Sequence, residues 1–305
     1  MKDKLILQTK INNRNKIGYN PNTKDNVINF FINLKYSLTE PVKLKFLRFL
    51  YGKKYLNKNK EPLVSIYVPT RNRSKILIDR AISTVLAQNY KNFELIIVGD
   101  CCTDDTKVLI RKINDKRVKF YDLQYKKKNL EDKIFLWMGG ENVAANFALS
   151  KCNGDWISRI DDDVFWTKDH IEKSLKFCLE NNLEFCSSIH EVFENGKQYI
   201  KLGPEIYSEY IGTEKLKRKI KFKNNRMGSH PSWFYRSYLS FFKYNLNAYY
   251  KKWNRGGDVD LFERFVKLGV EIGFMEQVTG YAKPRPGEKY VGSRAVLEHG
   301  YQGIK

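Results

Sequence analysis

From residue 62 onward, short apolar runs alternate with segments of helical periodicity, and this alternation limits the chain to few folds. Leu63-Val-Ser-Ile-Tyr-Val-Pro has the composition of a buried strand and ends at a proline. Further strands are predicted at Phe93-Glu-Leu-Ile-Ile-Val-Gly, Val118-Lys-Phe-Tyr and Asp155-Trp-Ile-Ser-Arg-Ile, with helical segments between them. Strands separated by helices indicate βαβ units. We therefore predict an α/β fold with a Rossmann-like, mostly parallel sheet and helices on both of its faces.

Polar clusters follow two of these strands, at the edge where open α/β sheets bind ligands. The first cluster comprises Pro69, Thr70, Arg71, Asn72 and Arg73. Its backbone donors, hydroxyl and two guanidinium groups suit a nucleobase, a ribose or a diphosphate. The second strand ends at Asp100, for which we predict a ligand-facing role, whereas Asp104 and Asp105 fit helix-capping positions.

A third cluster, Asp161-Asp162-Asp163, ends another apolar strand. Adjacent carboxylates repel one another unless a cation offsets their charge. Mg²⁺ and Mn²⁺ prefer oxygen ligands, and Asp161 and Asp163 lie two apart on one side of an extended chain. The alternative is an acidic turn that caps the helix predicted over residues 168–179. We favour a metal–diphosphate site.

The fourth cluster, Gly256-Gly257-Asp258-Val259-Asp260, opens a helix with an apolar core face. Two glycines allow the backbone to approach a ligand closely. A carboxylate beside a pocket can accept the proton of an attacking hydroxyl. Taken alone, either Asp258 or Asp260 also fits a helix N-cap.

Residues 1–60 are strongly basic, with 14 Lys and Arg against 3 Asp and Glu in a chain of net charge +21. An anionic partner such as nucleic acid, a phospholipid surface or a pyrophosphate fits this charge, and so does a merely solvated surface. The segment from Pro41 to Tyr51 predicts a short basic, amphipathic helix opened by proline. This helix fits an anionic leaflet, but we prefer the interpretation that it packs on the domain with its lysines outward.

Cysteine usage and hydropathy give expectations for the cellular compartment. The five cysteines form no CxxC pair, which is typical of a reducing compartment. No uncharged apolar stretch reaches 18 residues, and the apolar run near the start is too short for a signal peptide. We expect a cytoplasmic protein, peripheral on the inner face of the cytoplasmic membrane if the basic segment binds lipid.

Four motifs, in this order along the chain, resemble family 2 glycosyltransferases with the GT-A fold, of the type that builds bacterial cell-surface polysaccharides. They are Ser65-Ile-Tyr-Val-Pro-Thr-Arg-Asn-Arg, Ser83-Thr-Val-Leu-Ala-Gln-Asn-Tyr with the following strand to Asp100, Ile160-Asp-Asp-Asp, and Gly257-Asp-Val-Asp-Leu. The resemblance covers residues 62–287. It implies inverting, metal-dependent transfer of a hexosyl or related group from a nucleotide-sugar donor, commonly a UDP sugar. The implied acceptor is a saccharide or a lipid-linked glycan, as in capsule or lipopolysaccharide synthesis.

The same resemblance implies roles for individual residues. Residues 69–73, Asp100 and Asp162 would bind the donor, and Asp161 its ribose. Asp163, with Asp161, would hold Mn²⁺ or Mg²⁺, and Asp258 stands at the position of the general base. The expected acceptor contacts are His230, Trp233, Trp253 and Asp260. His299 is a further candidate metal ligand, because some relatives use a late histidine.

Some positions depart from the family pattern. Ala145-Asn146 replaces a common Arg-Asn pair, so a cation near the donor is missing, and Arg71, Arg73 or Arg159 would have to supply it.

For His230, a hydrogen-bonded buried histidine is as good an interpretation as a sugar contact.

We predict three segments: a basic, partly helical extension (1–60), a GT-A domain (61–290) and a C-terminal tail (291–305). The GT-A domain would divide into a nucleotide-binding half (61–165) and an acceptor half (166–290). Two other functions remain open, namely a sugar nucleotidyltransferase and a non-catalytic basic binding protein. The first usually needs a glycine-rich loop after strand one, and residues 69–75 contain no glycine. No nucleic-acid-binding motif occurs, so we expect no nucleic-acid partner.

Overall fold

The computed structural model describes residues 5–8, 21–56, 61–125, 139–202, 226–251, 256–292 and 295. Their strands belong to one mixed sheet, against which the helices pack. The α/β class predicted from the alternating pattern is confirmed.

The N-terminal helix is much longer than the sequence pattern indicates. After strand β1 (Leu5–Gln8), helix α1 spans Thr23–Tyr51 and continues into a 3₁₀ turn, Gly52–Leu56. The prediction that Pro41 opens the helix is wrong, because Pro41 lies inside it. A capping box starts the helix earlier: the Asn22 side chain accepts the Asp25 N–H, and the Asp25 side chain accepts the Asn22 N–H.

Four parallel strands form the part of the sheet that the sequence predicts best. They are β2 (Val64–Thr70), β3 (Phe93–Asp100), β4 (Val118–Leu123) and β5 (Trp156–Arg159). In space their order is β5-β2-β3-β4, and every pairing is parallel. All residues of β2, β3 and β5 are buried, as expected for parallel strands covered on both faces.

The remaining strands make the sheet mixed. They are β6 (Val164–Trp166), β7 (Phe185–Glu194), β8 (Lys197–Leu202), β9 (Phe234–Arg236) and β10 (Ile272–Ala282). The sheet continues from β5 through β9, β7 and β8 to β1, and β10 pairs with β7 and with β6. Since β9 is antiparallel to both β5 and β7, the mostly parallel arrangement ends at β5.

The helices connect these strands. Helices α2 (Ser74–Ile76) and α3 (Ser83–Leu86) flank a π-helical segment, Leu77–Ile82. Further along the chain lie α4 (Thr106–Arg111), α5 (Asn142–Lys151), α6 (His170–Glu180) and α7 (Gly257–Lys267). Short 3₁₀ turns occupy His230–Ser232, Ser237–Phe241 and Ala248–Tyr250.

Helix α5 packs closely on β2 and β3 because it presents small side chains to them. Ala144, Ala145 and Ala148 are fully buried at this contact. The first turn of α5 is therefore fixed relative to the ends of the parallel strands. None of the described helices combines the length and apolar content that a membrane crossing requires.

Candidate active site

Asp161, Asp162 and Asp163 form a turn between β5 and β6, here called the three-acid turn. Its middle residue binds the end of β2. Asp162 is buried, and its carboxylate accepts hydrogen bonds from Thr70 Oγ1 and from Arg73 Nη1, each at 2.9 Å. The side chains predicted for donor binding at Asp162 and Thr70 therefore contact each other. Their bond fixes the turn to the neighbouring strand.

A buried arginine holds the first acid of the turn. Arg159, the last residue of β5, is 1% exposed, and its Nε donates to Asp161 Oδ1 at 3.0 Å. The same guanidinium pairs with Glu141, which stands at the N-cap position of α5 but makes no side-chain capping bond there. Arg159 thus joins the end of β5 to the start of α5, and its single positive charge offsets part of the repulsion between these two carboxylates.

Asp161 and Asp163 fit a divalent cation. Their side chains are 33% and 30% exposed, so both reach solvent from the same turn. Burial and the carboxylates of Glu141 and Asp163 raise the pKa of Asp161, against the opposing effect of Arg159. A hard divalent ion takes oxygen ligands and would relieve this accumulation of negative charge.

His230 lies beside the acids. Its ring nitrogen and one carboxylate oxygen each of Glu141 and Asp161 lie within 4.8 Å of one another. The His230 Nε2 is hydrogen-bonded to the Tyr244 hydroxyl at 2.7 Å. Burial lowers the pKa of His230 well below its ordinary value, and nearby Arg159 adds to the shift, so the ring is neutral. The expected acceptor role stays a prediction, and the hydrogen-bonded interpretation describes the observed contact.

A cavity of about 170 Å³ opens beside this turn. It is lined by charged residues from four parts of the chain: Arg73, Glu141, Asp161, Asp162, Asp163, Lys283, Arg285 and Glu288. Carboxylate and cationic side chains therefore face one cavity. The carboxylates suit a metal ion, and the cations suit a phosphate group.

The segment after β10 is tied to the three-acid turn by another arginine. Arg80 Nη1 donates to the Asp163 backbone oxygen at 3.0 Å and to the Lys283 oxygen at 2.7 Å. Its Nη2 donates to the Pro284 oxygen at 2.8 Å. This contact brings Arg285 to the cavity, where its Nε lies 2.9 Å from Glu288 and 3.9 Å from Asp163. Among the described residues, the buried Arg285 Nη1 has no hydrogen-bond partner.

The other residues predicted to hold the nucleotide lie at the ends of β2 and β3 and do not line this cavity. Pro69 is buried within β2, and Arg71 Nη1 donates to the Asp100 backbone oxygen at 3.2 Å. Asp100 is buried and accepts a hydrogen bond from the Tyr125 hydroxyl. Asn72 Oδ1 accepts the Thr103 N–H at 2.7 Å.

The capping role predicted for Asp104 is confirmed. Its carboxylate accepts the Ser74 N–H at 3.0 Å and the Thr106 N–H at 3.2 Å, at the starts of α2 and α4. Asp105 is the N-cap of α4 but makes no side-chain capping bond.

Asp258, the predicted base, stands in the first turn of α7 and is half-buried. Its Oδ1 accepts the N–H of Val259 at 2.9 Å. The preceding Gly257 lies directly against the Asn142 side chain, with no room for a Cβ between them. Because Asn142 follows Glu141, the start of α7 is packed on the same end of α5 that holds Asp161 through Arg159.

Two residues expected at the acceptor are buried by other contacts. Asp260 is 1% exposed and pairs with Lys251 at 2.8 Å and with Arg264 at 3.2 Å. Trp233 is fully buried and packs against Phe185, with ring centroids 5.3 Å apart. In this arrangement neither side chain offers a free face to a sugar. Trp253 and His299 lie outside the described residues.

The sequence was also compared with known proteins. The profile of Glycosyl transferase family 2 matches residues 65–241, which contain the ends of β2, β3 and β5 and the three-acid turn. The chain belongs to this family.

Several bacterial glycosyltransferases are similar in sequence to this chain. The putative colanic acid biosynthesis glycosyl transferase WcaA of Escherichia coli K12 is 28% identical over 248 residues, which cover 79% of each chain. WfgD of Escherichia coli, a UDP-Glc:alpha-D-GlcNAc-diphosphoundecaprenol beta-1,3-glucosyltransferase, is 28% identical over 54% of this chain and 57% of its own. An uncharacterized glycosyltransferase of Rickettsia conorii is 37% identical over 48% of this chain. The match spans only 22% of the Rickettsia protein's length.

Among solved structures, S. aureus TarS 1–349 in complex with UDP-GlcNAc has a TM-score of 0.51 at 18% identity. The match covers 74% of this chain and 60% of TarS. This likeness confirms the GT-A fold predicted from the motifs.

Glu141 and Arg285 line the cavity beside Asp161 and Asp163 but are not among the site residues predicted from the sequence. Glu141 follows two glycines at a predicted helix start, a position that also suits an ordinary cap. Arg285 lies in Lys283-Pro-Arg-Pro-Gly-Glu, a basic segment with two prolines directly after a strand. The sequence shows this basic segment, but it does not show that Arg285 approaches the acids. That approach depends on the bond from Arg80, which lies 205 positions before Arg285, to the Lys283 oxygen.

Proposed function

We propose that this protein transfers a sugar from a nucleoside-diphosphate sugar to a saccharide or lipid-linked glycan, in the synthesis of a bacterial surface polysaccharide. Membership of glycosyl transferase family 2 supports the reaction class. The similarity to WcaA, a putative colanic acid biosynthesis enzyme, supports a role in polysaccharide synthesis. The similarity to WfgD, which uses UDP-Glc, supports a UDP sugar as donor. The observation that carries the proposal is the charged cavity where Asp161 and Asp163 face Arg73 and Arg285.

The donor's diphosphate would lie in this cavity. Arg285 is the best candidate to contact a phosphate oxygen, because its buried Nη1 lacks a partner in the described structure. It replaces the cation that Ala145 removes from the family pattern. The three arginines that the sequence offers for that role bind other groups. Arg71 donates to a backbone oxygen, Arg73 pairs with Asp162, and Arg159 pairs with Glu141 and Asp161.

Asp163 and Asp161 would hold Mn²⁺ or Mg²⁺. A bound ion would supply electrostatic stabilisation to the departing diphosphate. The chain's own contribution is the rigid turn: Asp162 bonded to β2, Asp161 to Arg159, and the Asp163 carbonyl to Arg80. Such fixed ligands need little rearrangement when the donor binds.

Asp258 would act as the general base of a single, inverting displacement. The acceptor hydroxyl oxygen forms a bond to the anomeric carbon, its proton passes to Asp258, and the bond from that carbon to the diphosphate oxygen breaks. The packing of Gly257 on Asn142 supports this assignment, because it fixes the start of α7 beside the Glu141–Arg159–Asp161 contacts.

A thermal-unfolding assay with nucleotides tests the proposal. The purified protein is heated with UDP, GDP, dTDP or CMP, each with and without Mn²⁺. We expect one nucleoside diphosphate to stabilise the protein only with metal, by about 2.7 kcal/mol at a hundred times its Kd. Asp163→Ala should lose the metal-dependent part of the shift. If no nucleotide changes the unfolding temperature of the wild type, the donor site is assigned wrongly.

A further inference from the structure

Helix α1 turns an apolar stripe to solvent. Val27, Phe31, Leu34, Leu38, Val42 and Phe49 are exposed, and Phe49 is 82% exposed. These positions follow one another at steps of three or four, and Lys45 fills the one step of seven between Val42 and Phe49. At 3.6 residues per turn, this spacing places them on one side along the whole helix, about 40 Å in length.

The opposite side of α1 attaches the helix to the domain through polar contacts as well as leucines. Asn29 Nδ2 donates to the Tyr250 oxygen at 2.9 Å, and Glu40 is buried in an ion pair with Arg264. Arg48 Nε donates to Glu184 at 2.7 Å. The described part of the domain therefore holds the more polar side of α1 and does not cover the apolar stripe, which is the reverse of the usual orientation of a surface helix.

The charges around the stripe have one sign. Lys24, Lys35 and Lys45 are exposed on this side of the helix. The two acids of Thr23–Tyr51 do not oppose them, because Asp25 belongs to the N-terminal capping box and Glu40 is buried against Arg264. An apolar stripe flanked by lysines, with no acid along it, is complementary to an anionic lipid surface.

We propose that α1 lies on an anionic phospholipid bilayer, with the stripe in the acyl–headgroup boundary and the lysines at the phosphates. A second copy of the chain would cover the stripe less well. A symmetric pair joins two copies of the same surface, so Lys24, Lys35 and Lys45 of both copies would meet in one interface that contains no exposed acid of α1 to pair with them. This inference does not depend on the donor or on the reaction proposed above.

Vesicle flotation tests the inference on the full-length protein. We expect the wild type to float with vesicles of equal parts phosphatidylcholine and phosphatidylglycerol, and to bind phosphatidylcholine alone far more weakly. The variant Phe31→Ser/Leu38→Ser/Phe49→Ser should bind the anionic vesicles at least about tenfold more weakly. The matched control is Val108→Ser/Leu246→Ser, because these side chains are 54% and 52% exposed but lie outside α1. It should bind like the wild type.

A second variant keeps the test decisive if the serine variant unfolds. Lys35→Gln/Lys45→Gln leaves the stripe intact and should weaken binding to anionic vesicles by about fivefold per lysine. Equal binding by the wild type, the stripe variant and the lysine variant would overturn the inference. It would also be overturned by a wild-type dimer that dissociates in the stripe variant while neither protein floats, since a second copy would then cover α1.

Discussion

Replacing Gly257 by alanine should destabilise the protein through one specific side chain. A Cβ at position 257 would lie 2.2 Å from Asn142 Oδ1 and 2.6 Å from its Nδ2, distances that non-bonded atoms do not tolerate. Asn142 cannot move aside easily, because it is 3% exposed and its Nδ2 donates to the Asn245 oxygen at 3.1 Å. Either the asparagine loses this bond or the start of α7 moves away from α5.

The expected magnitude follows from two opposing effects. Overpacking a well-packed contact costs about 1–3 kcal/mol, whereas alanine in place of glycine in a helix gains up to about 1 kcal/mol. Gly257→Ala should therefore lower the free energy of unfolding by about 1–2 kcal/mol. Asn142→Ala removes the clashing atoms at the loss of one hydrogen bond, which costs about 1 kcal/mol. In that background Gly257→Ala should be neutral or slightly stabilising.

The wild type, Gly257→Ala, Asn142→Ala and the double variant form a double-mutant cycle. Urea unfolding of these four proteins measures the coupling between the two positions directly. We expect a coupling energy of about 1–3 kcal/mol between positions 142 and 257. Gly52→Ala serves as the control, because no atom lies within 4 Å of a Cβ there. The reasoning is refuted if Gly257→Ala costs as little as the control, or if its cost is unchanged when Asn142 is alanine.

Two further predictions concern the base and the docking of α1. Asp258→Asn should abolish sugar transfer and leave nucleotide affinity nearly unchanged, measured by single-turnover transfer and by calorimetry; surviving turnover would move the base to another group. Burial raises the pKa of Glu40 to about 7, although Arg264 opposes the shift. The folded protein therefore binds this proton more tightly than the unfolded chain, so the associated stability is present below pH 4.5 and is lost as pH rises through about 7. Relative to Glu40→Gln, the wild type should lose up to about 3 kcal/mol of unfolding free energy between pH 4.5 and 8, and a constant difference would contradict the assignment.

The sequence is most informative where local pattern and final environment agree. The strands β2, β3 and β5 are continuous apolar runs because both of their faces are covered, and the polar residues after them mark the ligand edge. Helix α1 is different, because its apolar residues occur on both sides and its polar attachments come from distant residues such as Arg264 and Glu184. Periodicity alone therefore gives neither its start nor its orientation.

The site shows the same division. Three adjacent acids at a strand end suggested a cation site, and the structure places Asp161 and Asp163 at one cavity, while their role as metal ligands stays a prediction. The hydrogen bonds of Asp162 could not be predicted in the same way, because only the fold brings the end of β2, with Thr70 and Arg73, to its carboxylate. Asp260 is similar, because Lys251 and Arg264 reach it from different directions and convert an apparent site residue into a buried ion-pair partner.

The charges at the cavity give a reason to expect metal dependence that is independent of any relative. Its lining holds five carboxylates, at positions 141, 161, 162, 163 and 288, against the three cations Arg73, Lys283 and Arg285. Two more guanidinium groups, those of Arg159 and Arg80, lie behind the turn and balance the overall count, but Arg159 is paired with Glu141 and Asp161, and Arg80 is bonded to backbone oxygens. A nucleoside diphosphate is itself an anion, so the partly exposed carboxylates of Asp161 and Asp163 would repel its phosphates at close range when it arrives alone. Asp161 and Asp163 would hold a divalent ion, whose charge would offset theirs, and Arg285 would contact the phosphate from another part of the cavity. Donor affinity should therefore depend on metal more steeply than on any one arginine.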